Sequence, residues 1–565
     1  MKLFHLFFLF LPALGLFLSS CSEEEPASEP LDGRLIESFV FQGFVPPAVG
    51  VIDNERGIVT VRVPFGASRT NLAPTITVSE GATIDPPSGE ARNFSDPVLY
   101  VVTSESGLQK DYSVLVEAEG ESSSEAGLKS VTLPGLYLEG DINEGDKTIN
   151  FEVPFGTDVS TLEIAVETTD PDASSSPASG DIVDLSAPVS LVVTAPDGVT
   201  NNSYELSVAV LPQDTAIRGV WLTNVDSDVL TSQEKIQGAV GRCSDLNINT
   251  IFVVTYNKAA TTYPSQVMDG LIGRPIDPLY AGRDPLRELI DAAHARDIKV
   301  FAWFEYGFAA FYGSPGPILE AYPSWAAINS SGEPVVKNGF HWLNPMLPEV
   351  RGFMEDLILE VANNYPDIDG VQGDDRLPAM PSEGGYDGYT VSLYQAEHGG
   401  QSPPANRTNP VWLQWRADIL NAWAEELYQK VKQANPNCIV AMSPSPLTFG
   451  FSEYLQDYTA WIEGGYCDIV SPQLYRRDNQ GIEVYRGLLQ DQLVRVGNTN
   501  KDIFYPGLLS YLGGYVPNPQ FFVDMVRTNR AHGVQGEVHF FYNALIANEE
   551  VFRVVYPGAA LFPEF

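Results

Sequence analysis

Two kinds of hydrophobic periodicity divide the chain. Between residues 32 and 212, apolar residues recur at every second position in short runs, such as Val59-Thr60-Val61-Arg62-Val63 and Leu99-Tyr100-Val101-Val102-Thr103. Clusters of Gly, Pro, Asn and Asp part these runs. A period of two with frequent turn residues predicts short, half-buried strands packed as β-sandwiches. The stretch is also duplicated. Val63-Pro64-Phe65-Gly66 returns as Val153-Pro154-Phe155-Gly156, Ser88-Gly89 as Ser179-Gly180, and Ser95-Asp96-Pro97-Val98 as Ser186-Ala187-Pro188-Val189. The offset of about 90 residues fits a small domain rather than a solenoid unit. We read the repeats as 32–118 and 125–212, joined by a Ser/Glu-rich stretch at 119–125.

After residue 212 the period changes. Strands are predicted over 218–224, 250–257, 299–307, 368–375, 439–446, 468–476, 503–510 and 536–543. Helical patterns fall between them. Thr231-Ser232-Gln233-Glu234 has the form of a capping box, and Asp284-Pro285 places an N-cap and an N1 proline before a helix over 286–295. Further helices are predicted over 349–363, 410–433, 452–463, 482–494, 519–532 and 549–555. Eight strand–helix units predict a (β/α)8 TIM barrel over 213–565 with long loops. A doubly wound open sheet is the alternative, and the lack of a Gly-rich phosphate loop after the first strand counts against it.

Alternation sorts each strand into a lumen set and a helix set. Gly370, Gln372 and Asp374 share a face, as do Trp303 and Glu305; Ser471, Gln473 and Tyr475; and Glu537, His539, Phe541 and Asn543. Each of these sets is expected to face the lumen. Asn224 and Asn257 end the first two strands. Polar side chains thereby gather at the carboxyl ends of the strands, where the loops of a barrel converge on one mouth.

Composition narrows the chemistry. The 565 residues include 73 acidic and 33 basic side chains, a formal charge of −40. Such a surface repels phosphate backbones, which argues against a nucleic-acid partner. All 8 tryptophans follow residue 212, so an active site is expected in the barrel. The sequence has no His-x-x-x-His pair, Gly-x-Ser-x-Gly elbow or phosphate loop, so no metal and no cofactor are expected. Carboxylates beside aromatics remain. Glycoside hydrolysis uses that set: one acid protonates the leaving oxygen, and a second carboxylate serves as nucleophile or activates water.

The candidates for these roles are Glu305, Asp374 and Asp375. Glu305 lies among Trp303, Phe304 and Tyr306, where desolvation raises a carboxyl pKa and suits it to act as general acid. Asp374 takes the second role. The plainer reading of these acids is a loop cap or an ion pair with Arg376. Candidates for substrate binding are Asn224, Asn257, Trp303, Tyr306, Trp342, Gln372, Arg376, Gln473, Tyr475 and Asn543. Glu537 starts its strand at the opposite end of the barrel and reads as structural.

Lys2 precedes an apolar run from Leu3 to Leu18, and Ser19-Ser20-Cys21 follows. The run is short for a membrane span and has the pattern of an export signal over 1–20. Leu18-Ser19-Ser20-Cys21 resembles a bacterial lipobox, which implies acylation of Cys21 and attachment to a lipid bilayer. The tether at 21–31 carries Ser22-Glu23-Glu24-Glu25-Pro26, which resembles the acidic tract of Bacteroidota lipoproteins displayed at the cell surface. Cys243, Cys438 and Cys467 lie in apolar stretches and are expected to be buried thiols.

Several barrel motifs carry a wider resemblance: Arg218-Gly219-Val220-Trp221-Leu222, Lys299-Val300-Phe301-Ala302-Trp303-Phe304, Trp342-Leu343-Asn344-Pro345 before Pro348-Glu349-Val350-Arg351, Asp369-Gly370-Val371-Gln372-Gly373-Asp374-Asp375-Arg376, and Ser471-Pro472-Gln473-Leu474-Tyr475. In this order they resemble the glycosyl-hydrolase-like family ten barrel domain over about 217–515, and the repeats resemble the Ig-like modules of Bacteroidota surface lipoproteins. The resemblance implies action on glycan chains, peptide-stripped peptidoglycan among them. True family ten xylanases carry a nucleophile after strand seven. Here that strand ends Gly507-Leu508-Leu509-Ser510-Tyr511 without a carboxylate, so the xylanase mechanism is not implied. The expectation is an outer-membrane surface lipoprotein whose barrel hydrolyses glycosidic bonds. The competing expectation is a glycan-binding protein with an inactive barrel.

Overall fold

The computed structural model describes residues 32–64, 66–120 and 123–565. The expected signal over 1–20 and the whole tether at 21–31, Cys21 included, lie outside the described residues. No helix among the described residues is long and apolar enough to cross a membrane. The chain forms two compact units, the first ending at Gly127 and taking in Thr169–Ser174 and Val193–Asn202 as well.

Each repeat is all-β. In the first, seven strands join in one sheet, and Phe39, Phe41, Phe94 and Tyr100 fill its core. Strand Ile58–Val63 pairs in parallel with Gln109–Ala118, Ile58 opposite Ser113. In the second repeat, Thr148–Val153 pairs in parallel with Asn201–Val210, Thr148 opposite Glu205. The repeated Val-Pro-Phe-Gly motif ends the same strand in both copies, so the sequence duplication is also a duplication of register.

The second unit contains the barrel. Its strands are β1 (Ile217–Leu222), β2 (Thr250–Val254), β3 (Lys299–Phe304), β4 (Gly370–Gly373), β5 (Ile439–Met442), β6 (Ile469–Val470), β7 (Gly507–Leu509) and β8 (Gly536–Phe540). They pair in parallel in the order β6-β5-β4-β3-β2-β1-β8-β7. Parallel bridges Val470–Phe504 and Gln473–Gly507 close the ring. This is the expected (β/α)8 barrel, not an open sheet. Asp284 caps its helix as read, accepting from the Arg287 N–H at 3.0 Å, with Pro285 in the first turn. The expected capping box does not form: Ser232, not Thr231, is the N-cap, which puts Lys235 rather than Glu234 at the third helical position, and Thr231 closes a preceding 3-10 turn. The single helix expected over 452–463 is two, Leu447–Tyr454 and Tyr458–Gly464, parted at Leu455, whose φ is 61°.

The lumen is plugged by aromatics. Trp221 lies 6.0 Å from Phe252, 6.3 Å from Trp303 and 6.0 Å from Phe540, and its Nε1 donates to Gln372 Oε1 at 2.7 Å. Gly507 leaves room for it: a Cβ there would stand 2.9 Å from the Trp221 ring. The lumen assignments for β3, β4 and the 471–475 segment therefore hold, and the one for β8 does not. Glu537 turns outward to Arg530 on the helix Pro519–Ala531, and His539 stacks on Phe522 of the same helix. Phe540 faces the lumen instead. Both sides of this strand are buried, so polarity alone did not mark its inner face.

Candidate active site

Glu305 directly follows β3, and Asp374 directly follows β4. These strands are neighbours, with Phe304 opposite Gly373. The chain then turns, and the Leu377 N–H bonds the Asp374 carbonyl at 3.0 Å, which brings Arg376 back over the strand ends. Arg376 Nη1 donates to the Glu305 backbone carbonyl at 2.9 Å and to Asp374 Oδ2 at 3.1 Å, and it lies 3.2 Å from Asp375 Oδ1. The Arg376 guanidinium packs 4.8 Å from the Phe340 ring. Gly307 makes this approach feasible. Its φ is +48°, and a Cβ there would stand 2.4 Å from the Arg376 carbonyl.

Each acid has its own polar support. Asn257 Nδ2 donates to Glu305 Oε2 at 2.9 Å and to Asn224 Oδ1 at 2.6 Å. Gln473 Nε2 donates to Asp374 Oδ1 at 2.7 Å, while Gln456 holds the Asp374 carbonyl at 3.1 Å. Both Asp374 oxygens are thus occupied, and the residue is buried. Glu305 is half-buried, and only one of its carboxylate oxygens accepts a bond from the protein. It lines a cavity of about 400 Å³ with Asp226, Lys258, Tyr306, Phe340, Phe540 and others.

Three carboxylates surround one guanidinium. Burial raises the Glu305 pKa, and Arg376 and the Asn257 bond oppose the rise. Burial and then the Asp375 charge push Asp374 well above the usual carboxylate range, against the pull of Arg376. The excess of negative charge favours retention of a proton by the set, and that proton belongs to the coupled groups rather than to one side chain. Among the described residues, no group of three or more His, Cys, Asp or Glu side chains is arranged to hold a metal ion.

The other residues singled out in the sequence are placed unevenly. Tyr306 lines the Glu305 cavity, and Tyr475 packs 5.2 Å from the Phe540 ring. The Tyr475 hydroxyl and Gln372 Nε2 are buried without a hydrogen-bond partner among the described residues. Trp303 and Trp342 are buried, Trp303 beneath the acids and Trp342 against Tyr454, and neither lines the cavity. Asn543 sits farther out, donating to the Asp226 carbonyl at 3.0 Å. Sequence reading missed Asp226, Lys258 and Phe540. The first two lie on loops leaving β1 and β2, a position that could have marked them, and the third was hidden by the inverted faces of β8. Cys243, Cys438 and Cys467 are buried free thiols.

Ser510, His539, Tyr556 and Glu537 form a second polar chain, with Ser510 Oγ 2.9 Å from His539 Nδ1 and His539 Nε2 2.7 Å from the Tyr556 hydroxyl. It looks like a nucleophile relay but is closed to substrate, because Ser510, His539 and Glu537 are each 0% exposed.

Comparison with known proteins agrees with this architecture. The SGBP N-terminal family model matches residues 36–116 and 128–208. The chain is 26% identical over 295 residues to glycosyl hydrolase DigH of Escherichia coli strain K12, covering 46% of this chain and 62% of that relative. It is 24% identical over 406 residues to glycosyl hydrolase YngK of Bacillus subtilis strain 168, covering 62% and 74%. The glycoside hydrolase domain of PgaB (BpsB) from Bordetella bronchiseptica is similar in structure, with a TM-score of 0.47 and 15% identity over 61% of this chain and 100% of that domain. The chain spans about six tenths of the length of DigH. The glycosyl hydrolase-like 10 model matches residues 216–507, more than half of the sequence, and the chain belongs to that family.

Proposed function

We propose that the barrel hydrolyses O-glycosidic bonds with Glu305 and Asp374 as its two carboxylates. The observation that carries this reading is that both residues end adjacent strands around Arg376, which bonds the Asp374 carboxylate and the Glu305 backbone carbonyl, beside an open cavity that Glu305 lines. Glu305 is the proton donor, because its second oxygen has no protein partner and the residue lines the cavity. Asp374, held from two sides by Gln473 and Arg376, is the nucleophile or the base for water in the state where the shared proton sits on Glu305. Arg376 keeps the set from releasing its proton too late, and Asp375 keeps it from releasing it too early.

Release of reducing ends from a polysaccharide panel, including peptide-free peptidoglycan, tests the assignment. Glu305→Gln and Asp374→Asn should each abolish most of the turnover. Unchanged turnover in both would remove the assignment. No hydrolysis of any glycan, with binding retained, would favour the non-catalytic reading.

The SGBP match supports a place at the cell surface, and the lipobox resemblance supports acylation at Cys21. In this reading the repeats carry the barrel away from the bilayer. Mass spectrometry of the mature chain tests the anchor: an N-terminus other than acylated Cys21 overturns it.

A further inference from the structure

The mouth of the barrel holds two hollows besides the one at Glu305. The first, of about 680 Å³, lies beyond Val225 and Asp226, which line both it and the Glu305 cavity. The second, of about 450 Å³, is lined by Ser445, Phe449, Gln473, Tyr475, Arg476 and Asp491, among others. Gln473 reaches from this hollow to Asp374, and the Tyr475 ring separates it from Phe540 on the wall of the Glu305 cavity. The first hollow is built on segments after β1 and β8, the second on segments after β5 and β6. In a ring of eight, β1 and β5 stand opposite. The three hollows therefore cross the mouth, with the acids between the last two.

Arg476 is half-buried in the hollow beyond Asp374. Among the described residues its one hydrogen bond runs from Nη1 to the neighbouring Tyr475 carbonyl at 2.7 Å, and Nε and Nη2 make none. Two other arginines without an acid partner spend their donors on the backbone: Arg416 bonds the carbonyls of Trp412, Ser382, Gly384 and Arg407, and Arg351 those of Pro345 and Met346. Asp491, in the same hollow as Arg476, is taken by Arg495 at 3.0 Å and 3.1 Å. Burial alone acts on the Arg476 pKa, lowering it, and no neighbouring acid opposes the shift. Arg476 is thus half-buried, without an acid partner, and leaves two of its nitrogens without a protein acceptor among the described residues. Its free Nε–Nη2 edge has the fork geometry that matches a carboxylate.

We propose that Arg476 binds a carboxylate of the substrate, so that the barrel acts on an acidic polysaccharide drawn across the mouth and cut at internal bonds. This rests on the glycosidase reading above for the cleavage, but not for the binding.

The test uses the full chain with alginate, polygalacturonate, hyaluronan and peptide-free peptidoglycan glycan, each beside its carboxyl-reduced form. Hydrolysis is followed by reducing ends and viscosity, and binding by retardation in gels containing each polymer. The wild type should prefer at least one acidic polymer to its reduced form, and viscosity should fall before much sugar is released. Arg476→Gln should raise KM on that polymer by about tenfold to hundredfold, the loss expected for a charged hydrogen bond, and Arg476→Lys should recover part of it. Equal KM for Arg476→Gln and wild type, or equal use of the reduced polymers, overturns the proposal. Release of single sugars without a fall in viscosity overturns internal cleavage. An acidic polymer bound through Arg476 but not cut upholds the carboxylate site and sinks the hydrolase reading. No acidic polymer bound or cut sinks the carboxylate site.

Discussion

Two buried charge clusters sit at opposite ends of the same barrel, and they are built on opposite principles. At the amino end, Glu537 is matched. Arg530 grips it with Nη1 at 3.0 Å and Nη2 at 2.9 Å, Asn529 donates at 2.8 Å, and the Tyr556 hydroxyl donates as well. Those partners overcome burial and hold the Glu537 pKa below its usual value. Beside it, burial drives His539 down to about 4, so the imidazole stays neutral. At the carboxyl end, Arg376 pairs with Asp374 and Asp375 and lies within the field of Glu305, and the Glu305 and Asp374 pKa values are raised. A closed network satisfies its charges; an open one keeps a surplus that a substrate or a proton must relieve. The difference separates a structural carboxylate from one poised for acid–base work.

The largest expected effect breaks the comparison at the mouth. Glu305→Gln and Asp374→Asn should each lower turnover by about 10²–10⁴-fold, the usual weight of general acid–base groups. Glu537→Gln should do the reverse. Turnover per folded molecule should hold, while stability falls by about 3 kcal/mol, because Arg530 keeps its charge in a largely buried position without a counter-ion. Urea unfolding beside an active-site titration checks this; a Glu537→Gln protein that is stable but inactive would erase the distinction between the two ends.

A third measurement sharpens the electrostatic side. The basic limb of the activity profile should lie above the ordinary carboxylate range of about 4, since the donor's pKa is raised. Arg376→Gln removes the cation that lowers it most, ahead of Lys258, so the limb should move up by about one pH unit or more in whatever activity remains. A limb that stays in place, or moves down, contradicts the assigned role of Arg376.

The smallest effect concerns stability. Glu305 has a higher pKa folded than unfolded, so the wild type loses stability as pH rises from the unfolded value through the folded one. Glu305→Gln lacks that loss and keeps the Asn257 contact through its amide oxygen. Its melting midpoint should match the wild type near pH 4 and exceed it at pH 8. A gap that closes with rising pH would mean that the carboxylate is stabilised, not strained, where it stands.

The barrel was legible because strand and helix periods differ, and because Asp284-Pro285 and similar signals mark where helices begin. The repeats were legible because Val63-Pro64-Phe65-Gly66 and its copy close equivalent strands. Part of the candidate site was also legible. Alternation on β3, β4 and the segment after β6 placed Glu305, Gln372, Asp374 and Gln473 on inward faces, and the contacts among those elements agree. The same rule failed on β8, where Glu537 and His539 are as buried on the helix side as Phe540 is in the lumen. Trp303 and Trp342, named among the substrate-binding candidates, are both hidden by packing.

What the sequence determined by itself was local: the period of each segment, the order of the strands along the chain, and which residue types stand at the strand ends. What only the tertiary structure decided was which of those ends meet. Arg376 lies 71 positions from the Glu305 carbonyl it binds, and Gln473 lies 99 from Asp374. No pattern along the chain encodes such distances, because they follow from closing the ring. That closure also set one guanidinium among three acids and left Arg476 without any, a charge balance that depends on proximity in space rather than on composition.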